Sequence, residues 1–96
     1  MNERIIRLKA DLKVNFAKAK FTPNDLNTLK QISRKKVELV FGNYYVNGFK
    51  IRKGKQCLYS IVRLYYFGYI KEVGKGRITI SELGKKKLIE IRNESN

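Results

Sequence analysis

A chain of 96 residues has room for one domain and one core, and 43% apolar residues with six Tyr and five Phe suffice to fill it. The absence of His and the presence of a single Cys, Cys57, exclude a protein-built zinc site, Ser-His-Asp or Cys-His catalysis, and an internal disulfide. The 22 Lys and Arg outnumber the 8 Asp and Glu, and a net charge of +14 repels itself in any compact state, which points to a polyanionic partner.

The first predicted element is a helix over Glu3 to Lys20. Ile5, Leu8, Leu12, Phe16 and Ala19 recur at spacings of three and four, with Arg4, Arg7, Lys9, Lys13, Lys18 and Lys20 mostly off the stripe. Phe21 to Asp25 reads as the start of a second helix. Thr22 can cap it, Pro23 suits the first helical position, and Asp25 suits the positive end of the helix dipole. Leu26, Leu29 and Ile32 continue the apolar stripe, and the helix ends near Ser33 or runs on through Val37 and Val40 to Phe41. Gly42, Gly48 and Gly54 interrupt the next stretch. A short helix over Asn43 to Gly48 is expected there, with an extended strand as the alternative, and Val46, Phe49 and Ile51 in the core.

Lys55 to Phe67 reads as a third helix. Cys57 or Leu58, Ile61, Leu64 or Tyr65, and Phe67 lie on its apolar side; Gln56, Tyr59, Ser60, Arg63 and Tyr66 lie largely on the other. Gly68 stands where a C′ glycine ends a helix. Tyr69 to Val73 and Arg77 to Ile80 alternate and are joined by Gly74-Lys75-Gly76, a hairpin signal with Ile70, Ile78 and Ile80 inward and Lys71, Arg77 and Thr79 outward. Ser81 can cap a last helix, Glu82 to Arg92, with Leu83, Leu88 and Ile91 inward. Gly84 within it costs roughly 1 kcal/mol relative to Ala, and is best tolerated where another backbone packs close by. No uncharged apolar-rich stretch, Leu64 to Ile70 included, is long enough to span a bilayer, and the charged N-terminus lacks a signal-peptide core, so a cytoplasmic protein without a membrane association is expected.

The segment from Ile61 to Leu88, IVRLYYFGYIKEVGKGRITISELGKKKL, resembles the winged helix-turn-helix family of DNA-binding domains. Leu64 and Phe67 match the end of the family's recognition helix, and Gly68, Tyr69 and Ile70 match the step that leaves it. A basic wing follows. Ile78-Thr79-Ile80-Ser81-Glu82-Leu83-Gly84 resembles the family's Tyr-x-Leu-Thr-x-x-Gly, with Ile78 in the aromatic position and Ser81 in the Thr position. The resemblance covers the C-terminal part of the chain well and residues 22–50 weakly. The family usually carries a small Ala-rich helix before the recognition helix, where this chain has Asn43 to Phe49.

The resemblance implies a mainly α fold with a small β-hairpin wing, in the α+β class. Residues 22–92 would form the winged-helix core, residues 1–20 an extra N-terminal helix, and residues 93–96 a tail. It also implies a sequence-specific double-stranded DNA-binding protein, a transcriptional regulator with its recognition helix (55–67) in the major groove. The wing (69–80) would lie on the minor groove or backbone. Such regulators are commonly homodimers, and the helix Glu3–Lys20 with the last helix would supply the dimer surface.

Charge placement points the same way. From Lys50 to Arg77 eight basic residues stand against one acid, Glu72, which is half the net charge. Gln56 and Arg63 would read base edges, because Gln pairs bidentately with adenine and Arg with guanine. Lys55, Tyr59 and Ser60 would face base edges or phosphates. Arg52, Lys53, Lys71, Lys75 and Arg77 would hold phosphate, which sets affinity and register but not sequence. Arg34-Lys35-Lys36 and Lys85-Lys86-Lys87 read as solvated faces, Tyr44, Tyr45 and Tyr65 to Phe67 as core, and Cys57 as a small buried residue. Alternative readings are an RNA-binding or ribosome-associated basic module, and a protein-interaction winged helix in a larger complex. The eight acids form no close pair of the kind acid–base or metal chemistry needs, so no enzyme, cofactor, metal or small-molecule ligand is expected.

Overall fold

A computed structural model describes residues 3–13, 19–51 and 56–94. They form the helices α1 (Glu3–Leu12), α2 (Pro23–Arg34), α3 (Gln56–Tyr66) and α4 (Glu82–Glu94), and the strands β1 (Val37–Val40), β2 (Asn43–Val46), β3 (Phe49–Lys50), β4 (Ile70–Glu72) and β5 (Arg77–Ile80). The strands make one antiparallel sheet in the order β3-β2-β1-β5-β4. The fold is α+β, with a sheet larger than a two-stranded wing.

Local signals explain most boundaries. At the start of α2 the Asp25 N–H donates to Thr22 Oγ1, and the Thr22 N–H donates to Asp25 Oδ2, both at 3.1 Å. This is a capping box with Asp in the third position, and Pro23 follows the cap as expected. At the end of α3 the Gly68 N–H donates to Tyr65 O and the Tyr69 N–H to Leu64 O. With Gly68 at φ +81°, that is a Schellman motif. The Ser81 hydroxyl accepts the Gly84 N–H and donates to Gly68 O, so it both caps α4 and ties α4 to the end of α3.

The short helix expected over Asn43 to Gly48 is instead strand β2 and the turn after it. Tyr44, Tyr45 and Val46 are better strand than helix formers. The Val40↔Asn43 and Val46↔Phe49 pairs close two-residue turns, Phe41-Gly42 and Asn47-Gly48. All four turn residues have positive φ (50°, 78°, 52° and 84°), the type I′ geometry that matches sheet twist. Asn47-Gly48 is the strongest short hairpin signal in the chain, and Asn47 Oδ1 also accepts the Lys36 N–H at 3.0 Å. The same pairing ends α2 at Arg34 and makes Val37 and Val40 strand residues.

Alternation gives the sheet two unlike faces. Val37, Leu39, Tyr44, Val46, Ile70 and Ile78 are buried on the inner one. They meet Ile5 and Leu8 of α1, Leu29 and Ile32 of α2, and Cys57, Ile61, Val62 and Leu64 of α3 in one cluster. The buried Tyr44 hydroxyl donates to Gln31 Oε1 at 2.9 Å. Burial first, and the neighbouring Cys57 second, push its phenol above the ordinary range, so it stays neutral.

Phe49, expected in the core, is 76% exposed, whereas Val46 is buried and Ile51 packs against the core. Ile5 and Leu8 of α1 are buried inside the protomer, where the helix packs against α3 and β4. The helix stops at Leu12, Lys13 turns with φ 52°, Ala19 and Lys20 are not helical, and Phe16 lies outside the described residues. Leu83, expected inward, is 52% exposed, whereas Leu88 packs against the core and Ile91 is half-buried. Gly84 faces the body of the protein, and a Cβ there would collide with the Tyr69 carbonyl and stand 2.7 Å from Ile80 Cγ1.

Candidate nucleic-acid interface

Helix α3 packs against α1 and α2 and against β2 and β4 of the sheet. Cys57, Ser60, Ile61, Val62 and Leu64 are buried, and only Gln56 and Tyr66 are exposed. Tyr59 is half-buried. The polar face expected of a recognition helix is therefore narrow, and two residues assigned to it do other work. Ser60 is fully buried, and its hydroxyl accepts Asn24 Nδ2 at 2.8 Å. The Arg63 side chain is 17% exposed and forks onto the Asp25 carboxylate, which is fully buried, through Nε at 2.9 and 3.1 Å and Nη2 at 2.7 Å. Burial alone raises the Asp25 carboxyl. Hydrogen bonds from Arg63, Ser60 and Thr22, with the Arg63 charge, more than offset it and hold the group below its ordinary value. Arg63 joins α3 to α2; it is not placed to read a base, and neither is Ser60.

The basic residues of the hairpin are placed differently. Lys71, Lys75 and Arg77 are exposed, and among the described residues no ion pair engages them. Their positions are set by Glu72, the one acid of the segment, which turns inward. Its Oε1 accepts the Arg4 and Ile5 N–H groups at 3.0 and 3.1 Å, and its Oε2 accepts the Gly76 N–H at 3.0 Å. One buried carboxylate thus caps α1 and closes the hairpin. The Arg4 guanidinium donates to Leu39 O at 2.6 Å, and Gly76, at φ +79°, sits so close to that carbonyl that a Cβ would collide with it. The hairpin is clamped to α1 and β1.

The outer face of the sheet collects what the helices leave out. Along one row the pairs Lys50↔Tyr45, Tyr45↔Glu38 and Glu38↔Arg77 run across β3, β2, β1 and β5. Lys71↔Thr79 lies beside them. Lys50 and Arg77 are three strand spacings apart, about 14 Å at about 4.8 Å each. Lys36, next to β1, pairs with Glu38 at 3.1 Å. Among the described residues Glu38 is the acid of this face, and Lys50, Lys71 and Arg77 stand without an ionic partner. Elsewhere the acids are largely occupied: Asp25, Glu82 and Glu90 are in ion pairs and Glu72 is buried.

Of the residues assigned from sequence, the structure brings Lys71, Lys75 and Arg77 to one hairpin and leaves Gln56 exposed at the start of α3. Arg52, Lys53 and Lys55 lie outside the described residues. Lys50 and Tyr45 were missed. The alternation of Tyr44, Tyr45 and Val46 before Asn47-Gly48 was the signal that would have placed them outward on a sheet. Among the described residues no helix is long and apolar enough to cross a membrane. Comparison of the chain with protein-family models, with curated proteins and with solved structures finds no match.

Proposed function

We propose that this protein binds double-stranded DNA through the outer face of its sheet and the β4–β5 hairpin, and that it regulates transcription by occupying its site. The observation that carries this reading is the cluster Lys50, Lys71, Lys75 and Arg77 on an open sheet and a clamped hairpin, without an ionic partner among the described residues, in a chain of net charge +14. Sheets and two-stranded ribbons, like helices, fit DNA grooves and backbone. A duplex is favoured over a single strand because the row holds one aromatic, the half-buried Tyr45, whereas single-strand binders stack successive bases on several.

The succession α3, β4, β5 and the Ser81 to Gly84 step support a winged-helix derivative in which β2 and β3 stand in place of the motif's second helix. In this version the wing and sheet make most contacts, and α3 contributes only Gln56 and Tyr59 at its exposed edge. A homodimer reading paired half-sites would join through α4, where Leu83 and Ile89 are 52% and 57% exposed.

Anisotropy of a labelled random duplex, titrated from 50 to 200 mM salt, tests the proposal. Four phosphate contacts give a slope of log K against log salt of about −3.6, a loss of about two decades over that range. Lys71→Ala and Arg77→Ala should each flatten the slope by roughly one unit. Absence of duplex binding at 50 mM salt would overturn the proposal. Preference for single strands or structured RNA at matched salt would move the reading to an RNA-binding module.

A further inference from the structure

The two type I′ turns of the sheet differ in one residue. Asn47-Gly48 has the preferred pair, Asn then Gly. The turn Phe41-Gly42 places a bulky aromatic at φ 50°, in the left-handed region that side chains of this kind rarely adopt. No packing compensates, because Phe41 is 93% exposed, the most exposed large apolar residue among those described. A strained position that burial does not explain points to a role at the surface. Beneath the turn lies a hollow of about 350 Å³, lined by Arg4, Arg7, Leu8, Asp11, Leu39, Phe41 and Gly42. Its charged groups are two arginines and one aspartate. Arg7 is exposed, and Arg4 is held in place by its bond to Leu39 O.

From this juxtaposition we infer that Phe41 is a nucleobase-stacking prong, which takes an unstacked base of the bound DNA while Arg7 and Arg4 hold the adjoining phosphate. The inference rests on the DNA-binding reading and extends it to the opposite end of β1 from Lys36. An aromatic face accepts any base, whereas the guanidinium groups select a phosphate beside it. A rigid two-residue turn keeps the ring out of the core and poised for insertion, as apolar wedges are in proteins that unstack a base step. Asp11 shares the hollow and can accept a base amino group.

The chain has no Trp, so Phe41→Trp supplies a single fluorophore at the prong. The full chain would be titrated with a labelled duplex carrying one unpaired base, following anisotropy and Trp emission together. Phe41→Asn is the companion variant. It restores the preferred turn residue, so Tm should rise by about 4–8 °C while affinity falls about tenfold. The Trp variant should bind as the parent does, with its emission quenched on binding. Binding with unchanged emission, or an Asn variant with parental affinity, would overturn the prong and leave the DNA-binding reading intact. Absence of binding by the parent chain would overturn both.

Discussion

The Asp25–Arg63 pair shows how a residue's environment replaces its expected role. Asp25 was legible as a helix-start residue, and it is one. That its carboxylate also receives Arg63, 38 positions away, is invisible to periodicity, which put Arg63 on the polar side of α3. Arg63→Ala should leave an unpaired buried carboxylate and cost about 3 kcal/mol at pH 7, read from urea denaturation. The pH dependence has a defined sign. Asp25 in the parent has a lowered pKa. Its contribution is therefore full above about pH 4, the unfolded value, and is lost as pH falls through the folded value. In Arg63→Ala the folded value rises above the parent's, because the Arg63 hydrogen bonds and charge are lost while the burial remains. The stability gap between parent and variant should then narrow from pH 7 to pH 4; a gap that widens in acid would refute this assignment. Since the guanidinium faces Asp25 and not solvent, the salt slope of DNA binding should be unchanged in that variant. Gly84 is a second case. Ala is the better helix former by roughly 1 kcal/mol, yet its Cβ would meet the Tyr69 carbonyl. Gly84→Ala should lower stability by about 1–3 kcal/mol in thermal or urea melts, with steric cost exceeding helix propensity.

Among the elements, the β4–β5 hairpin owes its position to Glu72. The alternation of Tyr69 to Val73 and Arg77 to Ile80, with the glycines between, was enough to place the strands and their faces. The capping of α1 by a carboxylate from the hairpin depends on two segments 68 positions apart and carries no local signal. Glu72→Ala removes the acceptor of three N–H groups, at Arg4, Ile5 and Gly76. Bonds to a charged acceptor are each worth about 1.5–3 kcal/mol, so these amides should exchange with solvent at least about tenfold faster, in α1 and the hairpin together. Faster exchange at Gly76 alone would show that the two elements are not joined through this side chain. The turns teach the converse lesson. Asn47-Gly48 announces its hairpin locally, and its pairing makes Asn43 to Val46 the extended strand that was the alternative to a helix there.

At the scale of the molecule, charge is partitioned by the fold. Acids are used inward or in pairs, as at Asp25, Glu72 and Glu38, and the excess of lysine and arginine is left on the surface. On the proposed DNA-binding reading, phosphate contacts from separate strands would act as one field, so double substitution of Lys71 and Arg77 should flatten the salt slope by about two units, additively. Stability in urea should change little, since neither side chain is buried or paired.

By itself the sequence determined the start of α2, the glycine stop of α3, the β4–β5 hairpin with its inward isoleucines, the cap of α4 and the charge of the whole. Each follows from contacts within a few residues or from a count, and local chemistry decides those. The tertiary structure alone decided that the exposed face of α3 is narrow, that Arg63 and Ser60 serve the α2–α3 junction, and that α1 closes the core. It also decided that the open basic surface lies on a five-stranded sheet. These depend on which faces meet, and a helical stripe or an alternating strand specifies a buried side without specifying its partner.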